Sequence, residues 1–277
     1  MKPMRYLPTP DATRRFTTEE LRAHFLVSDL FVPGAIALSH VDLDRVVLGG
    51  AVPTSAPLRL ETIPALRAEH FCERRELGVL NTGGAGTVTV DGVGYALDVH
   101  DVLYVGRGAR DVHFGSVDKT TPARFYLVSY PAHAMHPTTL IRPHETDNLE
   151  LGSVEQANRR TVRRYIHANG AKSCQLVMGV TTLAPGNVWN TMPSHTHDRR
   201  TEVYLYFGLP RDAMVVHLLG EPTETRSLIV RDGEVALSPG WSVHSGCGTQ
   251  AYSFCWAMGG ENQDYADMDD MNMKTLR

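Results

Sequence analysis

Short apolar runs alternate with clusters of Gly, Pro, Asp and Asn along most of the chain. Typical runs are residues 87–90, residues 102–105 and the Val-Tyr-Leu-Tyr-Phe sequence that follows Glu202. Short apolar runs with turn residues between them are typical of antiparallel strands in a sandwich or barrel. Asp91-Gly92, directly after one such run, predicts a tight hairpin turn. The pattern therefore predicts an all-β protein.

One early segment has the periodicity of a helix. Residues 17–20 read Thr-Thr-Glu-Glu, which is an N-terminal capping signal, and Leu21 and Phe25 lie four residues apart. We expect residues 27–30 to continue this helix and Pro33-Gly34 to end it. The predicted architecture is a short N-terminal helix followed by β structure.

Length and charge exclude some functions. The chain has 277 residues, so it can bury a large core as one domain or two. Its net charge is −4. It has no block of basic residues, which leaves no electrostatic case for nucleic-acid binding. No apolar stretch approaches the roughly 20 residues that span a membrane, and the first residues lack the apolar core of a signal peptide. We therefore expect neither a nucleic-acid nor a membrane partner, and a cytoplasmic location by default.

The densest candidate chemistry lies between residues 193 and 208. His195 and His197 are two residues apart, so on a strand both imidazoles point to one face. Glu202 follows five residues after His197, and a turn or bulge at 198–201 would be needed to return it to that face. His244, after a Pro-Gly turn, is the fourth candidate. Three His and one Glu suit zinc, iron, copper or nickel and leave a coordination position open, as in catalytic sites.

An internal repeat divides the chain into halves at 1–150 and 151–277. Glu76 and the apolar residues after it mirror Glu202 and its strand. The first half has other residues at the positions equivalent to His195, His197 and His244, which are Glu69, Phe71 and Asp111. We therefore expect the first half to be a degenerate barrel without metal ligands.

Two paired motifs resemble those of the cupin superfamily. The motif Gly, His-x-His, Glu and Gly, and the later motif Gly, Pro and His, are carried here by Gly186, His195-Thr-His197, Glu202 and Gly208, and by Gly233, Pro239 and His244. The gap from Gly186 to His195 is longer than usual, and Gly248 replaces the usual Asn. The resemblance implies two cupin-like jelly-roll halves (a bicupin) and the ligands His195, His197, Glu202 and His244.

Nearly the whole chain resembles a more specific family, the 5-keto-4-deoxyuronate isomerases (4-deoxy-L-threo-5-hexosulose-uronate ketol-isomerases). The segments that carry this resemblance are Val188-Trp-Asn-Thr-Met-Pro193, His195-Thr-His-Asp-Arg-Arg200, Ser238-Pro-Gly-Trp-Ser-Val-His244 and Trp256-Ala-Met-Gly-Gly-Glu-Asn-Gln263. The resemblance implies isomerisation of an aldehyde and its neighbouring hydroxyl to a ketone and a primary alcohol, in pectin and polyuronate degradation. It also implies one zinc ion per subunit, with iron, manganese or nickel as alternatives, and a homohexamer.

A site for the implied uronate substrate needs a cation that binds its carboxylate and a base that moves a proton between adjacent carbons. Arg199, Arg200 and Arg226 are the candidate cations. The sequence leaves the base open among Glu202, Glu261, Tyr204 and a metal-bound hydroxide. Further candidates for substrate contact are Trp189, Trp241 and Gln175.

Two other functions share this ligand set. Some cupins with three His and one Glu are metal dioxygenases, and others are non-catalytic sugar-binding or storage proteins. Consumption of oxygen would favour the first class. Binding of a sugar acid without turnover would favour the second.

Overall fold

The structure is a computed structural model that describes residues 4–277, and strands dominate it. The α-helices are α1 (Pro10–Thr13) and α2 (Thr18–Phe25), and single 3-10 turns occur at Leu43–Arg45, Pro64–Leu66 and Pro143–Glu145. The strands in chain order are β1 (Leu26–Val27), β2 (Ile36–His40), β3 (Val47–Ala51), β4 (Leu58–Arg59), β5 (Arg75–Asn81), β6 (Gly86–Val90), β7 (Val93–Leu97), β8 (Val102–Val105), β9 (Val112–Ser116), β10 (Phe125–Pro131), β11 (Thr139–Ile141), β12 (Asp147–Leu151), β13 (Arg160–Ile166), β14 (Val177–Leu183), β15 (Trp189–Asn190), β16 (His195–Thr196), β17 (Arg200–Phe207), β18 (Val215–Glu221), β19 (Glu224–Val230), β20 (Val235–Ser238), β21 (Ser245–Gly248), β22 (Ser253–Gly260) and β23 (Asp269–Asp270). Within residues 4–277, no helix is long and apolar enough to cross a membrane.

The chain forms two compact units whose segments interleave in sequence. Of the described residues, the first unit contains residues 4–5, Asp29–Thr146 and Tyr165–Val177, and the second contains Tyr6–Ser28, Asp147–Arg164 and Met178–Arg277. Helix α2 thus belongs with the C-terminal unit, and a segment from beyond residue 150 belongs with the first. The division into cupin-like halves at residue 150 stays a prediction. The boundaries of the two units differ from it, because Tyr6–Ser28 lies in the second unit and Tyr165–Val177 lies in the first.

The first unit has two antiparallel sheets. Their strand orders are β11-β8-β5-β10-β3-β2 and β4-β9-β6-β7. Leu77 and Val79 of the six-stranded sheet and Val88 and Phe114 of the four-stranded sheet belong to one buried apolar core. The predicted hairpin is confirmed: β6 and β7 pair across Asp91-Gly92, whose φ angles of 47° and 85° suit a turn with two left-handed residues.

Glu76 in β5 is fully buried, and the protein itself satisfies its carboxylate. The Tyr104 hydroxyl donates to it at 2.9 Å. The backbone N–H groups of Cys174, Gln175 and Leu176 donate to it at 2.6, 2.9 and 2.8 Å. Glu76, the residue equivalent to Glu202 in the internal repeat, therefore anchors residues 174–176 within the first unit.

Replacing Glu76 by Ala should lower the free energy of unfolding by about 3 kcal/mol or more. The change leaves several buried donors without an acceptor, and each such group costs about 1–3 kcal/mol. Urea denaturation of the metal-free protein measures the loss. Glu61→Ala is the control, because this carboxylate is 71% exposed and, among the described residues, pairs only with Arg59, also in the first unit. Equal stability of the two variants would contradict the anchoring role.

The second unit contains the other three sheets. Their strand orders are β1-β20-β17-β22-β14-β13-β12, β15-β21-β18-β19 and β16-β23. The predicted helix is confirmed for Thr18–Phe25, and the capping box of Thr17 and Glu20 is present. Its predicted continuation through residues 27–30 is wrong. The chain turns into β1 instead, where Leu26 and Val27 are buried and pair with β20.

Candidate metal centre

A tight turn brings the first three candidate ligands together. Strand β16 carries His195 and ends at Thr196, and β17 carries Glu202 and begins at Arg200. The N–H of Arg200 donates to the carbonyl of His197 at 3.2 Å and closes the turn. The turn that the sequence required between His197 and Glu202 is therefore present.

Gly240 brings the second motif close to this turn. Its carbonyl accepts the N–H of His197 at 3.2 Å. A Cβ atom at Gly240 would lie only 2.6 Å from the carbonyl oxygen of His197, so a larger residue would force the two segments apart. This close approach helps to hold His244, which follows four residues later, beside the His-x-His pair.

The donor atoms of the four side chains converge on one point. One donor atom each from His195, His197, Glu202 and His244 lies within 4.8 Å of the others. Nε2 of His244 is 3.0 Å from Nε2 of His195 and 2.9 Å from Oε2 of Glu202, which in turn is 3.3 Å from Nε2 of His197. Oε2 of Glu202 is buried and has no well-directed hydrogen bond within the described chain. Donor atoms of a four-coordinate zinc ion lie about 3.4 Å apart, so this donor set fits a divalent cation.

Outer contacts orient the imidazoles. The carbonyl oxygen of Asp267 lies 2.7 Å from Nδ1 of His197. A carbonyl only accepts, so Nδ1 carries the proton and the Nε2 lone pair faces the cluster. Nδ1 of His244 lies 3.2 Å from the Ser238 hydroxyl and 3.4 Å from the carbonyl of Ser242.

The electrostatics of the cluster favour ligation. Burial, reinforced by His244, lowers the pKa of His195 to about 2, so its imidazole is neutral at physiological pH. Burial alone would raise the pKa of Glu202, but His244 and His197 lower it below its ordinary value and keep the carboxylate ionised. Glu202 raises the pKa of His197 against the effect of burial. Metal ligands must be deprotonated, so a cation bound at Nε2 of His197 would displace any proton from that nitrogen.

A cavity of about 230 Å³ opens onto the cluster within the second unit. His195, His197, Glu202 and Tyr204 contribute to its wall, and the other lining residues are Leu151, Arg160, Val162, Thr181, Thr191, Pro193, Phe254, Trp256, Met258, Tyr265, Met268 and Asp270. The Tyr204 hydroxyl lies 3.0 Å from the hydroxyl of Thr191. Burial raises the pKa of Tyr204 well above its ordinary value, so this phenol is protonated at neutral pH and can only donate a proton.

The three arginines predicted to bind the substrate do not line the cavity. Arg199 is exposed and pairs with Asp267 at 2.8 Å. Arg200 is buried and donates to the carbonyl of Asp267 at 3.0 Å. Arg226 donates to three backbone carbonyls at and just beyond the end of α1. Arg199 and Arg226 have protein acceptors, whereas Nε and Nη1 of Arg200 are buried without a hydrogen-bond partner among the described residues. A role of these three arginines in substrate binding stays a prediction.

Four further predicted site residues also lie elsewhere. Trp189 is in β15 and does not line the cavity, and Trp241 packs edge-on against Phe25 at 6.3 Å. Gln175 belongs to the first unit, where its side chain donates to a backbone carbonyl of β10 at 2.6 Å. Glu261 is exposed just after β22, outside the cavity wall. Of the predicted catalytic side chains, Glu202 and Tyr204 line the cavity.

Sequence reasoning missed three ionisable side chains of the cavity wall. Arg160 begins β13, and Tyr265 and Asp270 lie near the C-terminus. Asp270 is brought in by β23, which pairs with β16 so that Asp270 lies opposite His195. Within the described chain, the Asp270 carboxylate has no hydrogen-bond or ion-pair partner. No local pattern in the sequence shows that the segments around Arg160 and Asp270 fold onto the metal motif.

Comparison with known proteins places the chain among related sequences and folds. It is 55% identical over 276 residues to the 4-deoxy-L-threo-5-hexosulose-uronate ketol-isomerase of Kineococcus radiotolerans, and 52% identical over 274 residues to that of Lachnoclostridium phytofermentans; each alignment covers 99% of both chains.

Solved structures share the fold at low sequence identity. An IolB-like protein from Salmonella typhimurium LT2 superposes with a TM-score of 0.71 at 13% identity, covering 89% of this chain and 96% of that one. A Bacillus subtilis oxalate decarboxylase gives 0.60 at 11% identity, covering 89% and 79%. At these identities the likeness concerns the fold alone, and it confirms the predicted all-β cupin architecture.

The family assignment rests on the sequence match along most of the chain. The sequence model of the KduI/IolB family matches residues 40–276, which include every residue of the metal motif. The chain therefore belongs to the KduI/IolB family.

Proposed function

We propose that the protein is a metal-dependent ketol-isomerase that converts 4-deoxy-L-threo-5-hexosulose uronate to 3-deoxy-D-glycero-2,5-hexodiulosonate in pectin and polyuronate breakdown. The observation that carries the proposal is the convergence of three His and one Glu on a cavity that also holds an arginine. The full-length relatives named for this reaction support it.

His195, His197, Glu202 and His244 would hold the cation. When bound, it would act as a Lewis acid toward the aldehyde oxygen of the substrate. We propose zinc, as the resemblance implies, and the donor set also suits iron, manganese or nickel. A homohexamer and a cytoplasmic location are further proposals that rest on the family resemblance and the sequence.

The reaction moves one proton from the hydroxyl-bearing carbon to the aldehyde carbon, and one proton from the hydroxyl to the aldehyde oxygen. Glu202 is engaged with two imidazoles, and the Tyr204 phenol is protonated. Asp270 is the remaining carboxylate of the cavity wall, and its unpaired state favours it as the base. In our proposal, Asp270 removes the proton from carbon, the electron pair forms an enediolate, and the Asp270 carboxyl, whose proton exchanges with solvent, returns a proton to the former aldehyde carbon.

The decisive experiment is turnover of freshly prepared uronate by metal-loaded protein. We expect the aldehyde signal to disappear and the 2,5-diketone to form stoichiometrically without oxygen uptake. Oxygen uptake coupled to turnover would support a dioxygenase instead. Calorimetric binding of the uronate without product would support a sugar-acid-binding protein. Either result, under conditions where a related isomerase is active, would overturn the proposal.

A further inference from the structure

Arg160 differs from Arg164, Arg199 and Arg200 because it lines the cavity and has no carboxylate partner among the described residues. It begins β13 and lines the same cavity as Glu202 and Tyr204. Its Nη1 donates to the carbonyl of Asn158 at 2.8 Å. Among residues 4–277, no acidic side chain pairs with Arg160, and the rest of its guanidinium fork has no acceptor.

The nearby arginines differ from Arg160 in their partners or in their position. Arg164 pairs with Asp147 at 2.7 Å, and Arg199 pairs with Asp267 at 2.8 Å. Arg200 donates to a backbone carbonyl through Nη2, and although its Nε and Nη1 have no partner among the described residues, it does not line the cavity. Burial lowers the pKa of Arg160, which shows that its surroundings desolvate the cation without supplying an anion. A partly desolvated charge without a partner is costly, so an anionic ligand would be bound favourably there.

The charge of the cavity wall agrees with an anionic ligand. Glu202 and Asp270 are its two carboxylates, and Arg160 is its one arginine or lysine side chain. The wall therefore carries one net negative charge, and a divalent cation at the ligand cluster would change it to one net positive charge. A monoanion complements that charge, whereas a neutral sugar does not.

We propose that Arg160 binds the carboxylate of the uronate and so makes the cavity selective for sugar acids. This inference rests on the proposed function for the identity of the acid. Planar guanidinium groups bind carboxylates through two parallel N–H donors, and most of the Arg160 fork is unoccupied. The substrate carries its carboxylate and its aldehyde at opposite ends, so holding the carboxylate would orient the reacting end.

Substitutions at Arg160 test this assignment on the full-length, metal-loaded protein. Arg160→Ala should raise KM for the uronate about 10- to 100-fold, as expected for loss of a charge-assisted hydrogen bond. Arg160→Gln retains a donor for Asn158 but has no charge, and should show a similar loss. Arg160→Lys should be intermediate, because it keeps the charge without the fork. Arg163→Ala is the control: it removes the same charge from the same strand, outside the cavity wall.

A binding measurement separates this inference from the proposed reaction. Calorimetry compares the uronate with its carboxamide, which has no negative charge. Wild-type protein should bind the acid at least about 10-fold more tightly than the amide, and Arg160→Ala should lose this preference while keeping its melting temperature and metal content. If wild type binds the acid selectively without turnover, the function fails and the inference stands. If wild type has no preference, or Arg160→Ala retains it, the inference is overturned.

Discussion

His244→Ala should release the bound metal and lower kcat by at least about 1000-fold, because a Lewis acid contributes several kcal/mol to such a transition state and each 1.36 kcal/mol is tenfold. His244 is buried, and its Nε2 lies within 3.0 Å of donor atoms of both His195 and Glu202. Removing it leaves an incomplete donor set around a buried carboxylate. Elemental analysis of the metal and steady-state kinetics give the two readouts.

His217→Gln is the matched control for this prediction. His217 is also a buried histidine of the second unit, and its Nδ1 lies 2.7 Å from the Tyr206 hydroxyl. Burial lowers the pKa of His217 to about 3, so it is neutral like a ligand, but it lies outside the convergent group. The control should keep its metal and most of its activity. A folded His244→Ala protein with full metal content and activity would show that the cluster is not the metal centre.

The spacing in the sequence predicts that His195, His197 and Glu202 converge, and the resemblance to the paired motifs adds His244. The two-residue spacing of His195 and His197 fixes a common face, and the distance to Glu202 requires a turn, which the structure has. Local spacing is sufficient to predict this convergence because His195, His197 and Glu202 lie in two consecutive strands and the turn between them. The apolar runs predicted the β architecture for the same reason, since strand periodicity is a local property.

Local spacing could not predict which side chains line the cavity, because tertiary contacts determine their positions. Arg226 is near the second motif in sequence, but the end of α1, more than 200 residues away, supplies its acceptors. Trp241 lies within the motif itself, yet it packs on Phe25 of α2. Arg160 and Asp270 carry no local signature: the strand order β17-β22-β14-β13 sets the position of Arg160, and the long-range pairing of β23 with β16 sets that of Asp270. Position in or beside a motif therefore predicted the cluster of four candidate ligands, but it did not predict which side chains line the cavity.

Asp270→Asn should lower kcat by about 100- to 10,000-fold, which is the usual contribution of a positioned general base. The amide keeps the size of the side chain but cannot accept a proton from carbon. The carboxylate is exposed in the cavity wall, has no partner among residues 4–277, and is positioned by the pairing of β23 with β16. Metal content and KM should change little, because Asp270 is outside the donor cluster.

Asp269→Asn separates this role from a general effect of charge or of strand pairing. Asp269 is the preceding residue of β23, is exposed, pairs with Thr196 and does not line the cavity. It should retain nearly full kcat. In deuterated water, wild-type enzyme should exchange the hydrogen on the hydroxyl-bearing carbon, and Asp270→Asn should lose this exchange together with turnover. If Asp270→Asn retains both, or if the two variants lose activity equally, another group moves the proton. Loss of exchange in the Asp270 variant alone would assign the general base to β23. The base and the residues that would hold the cation then come from different segments of the chain.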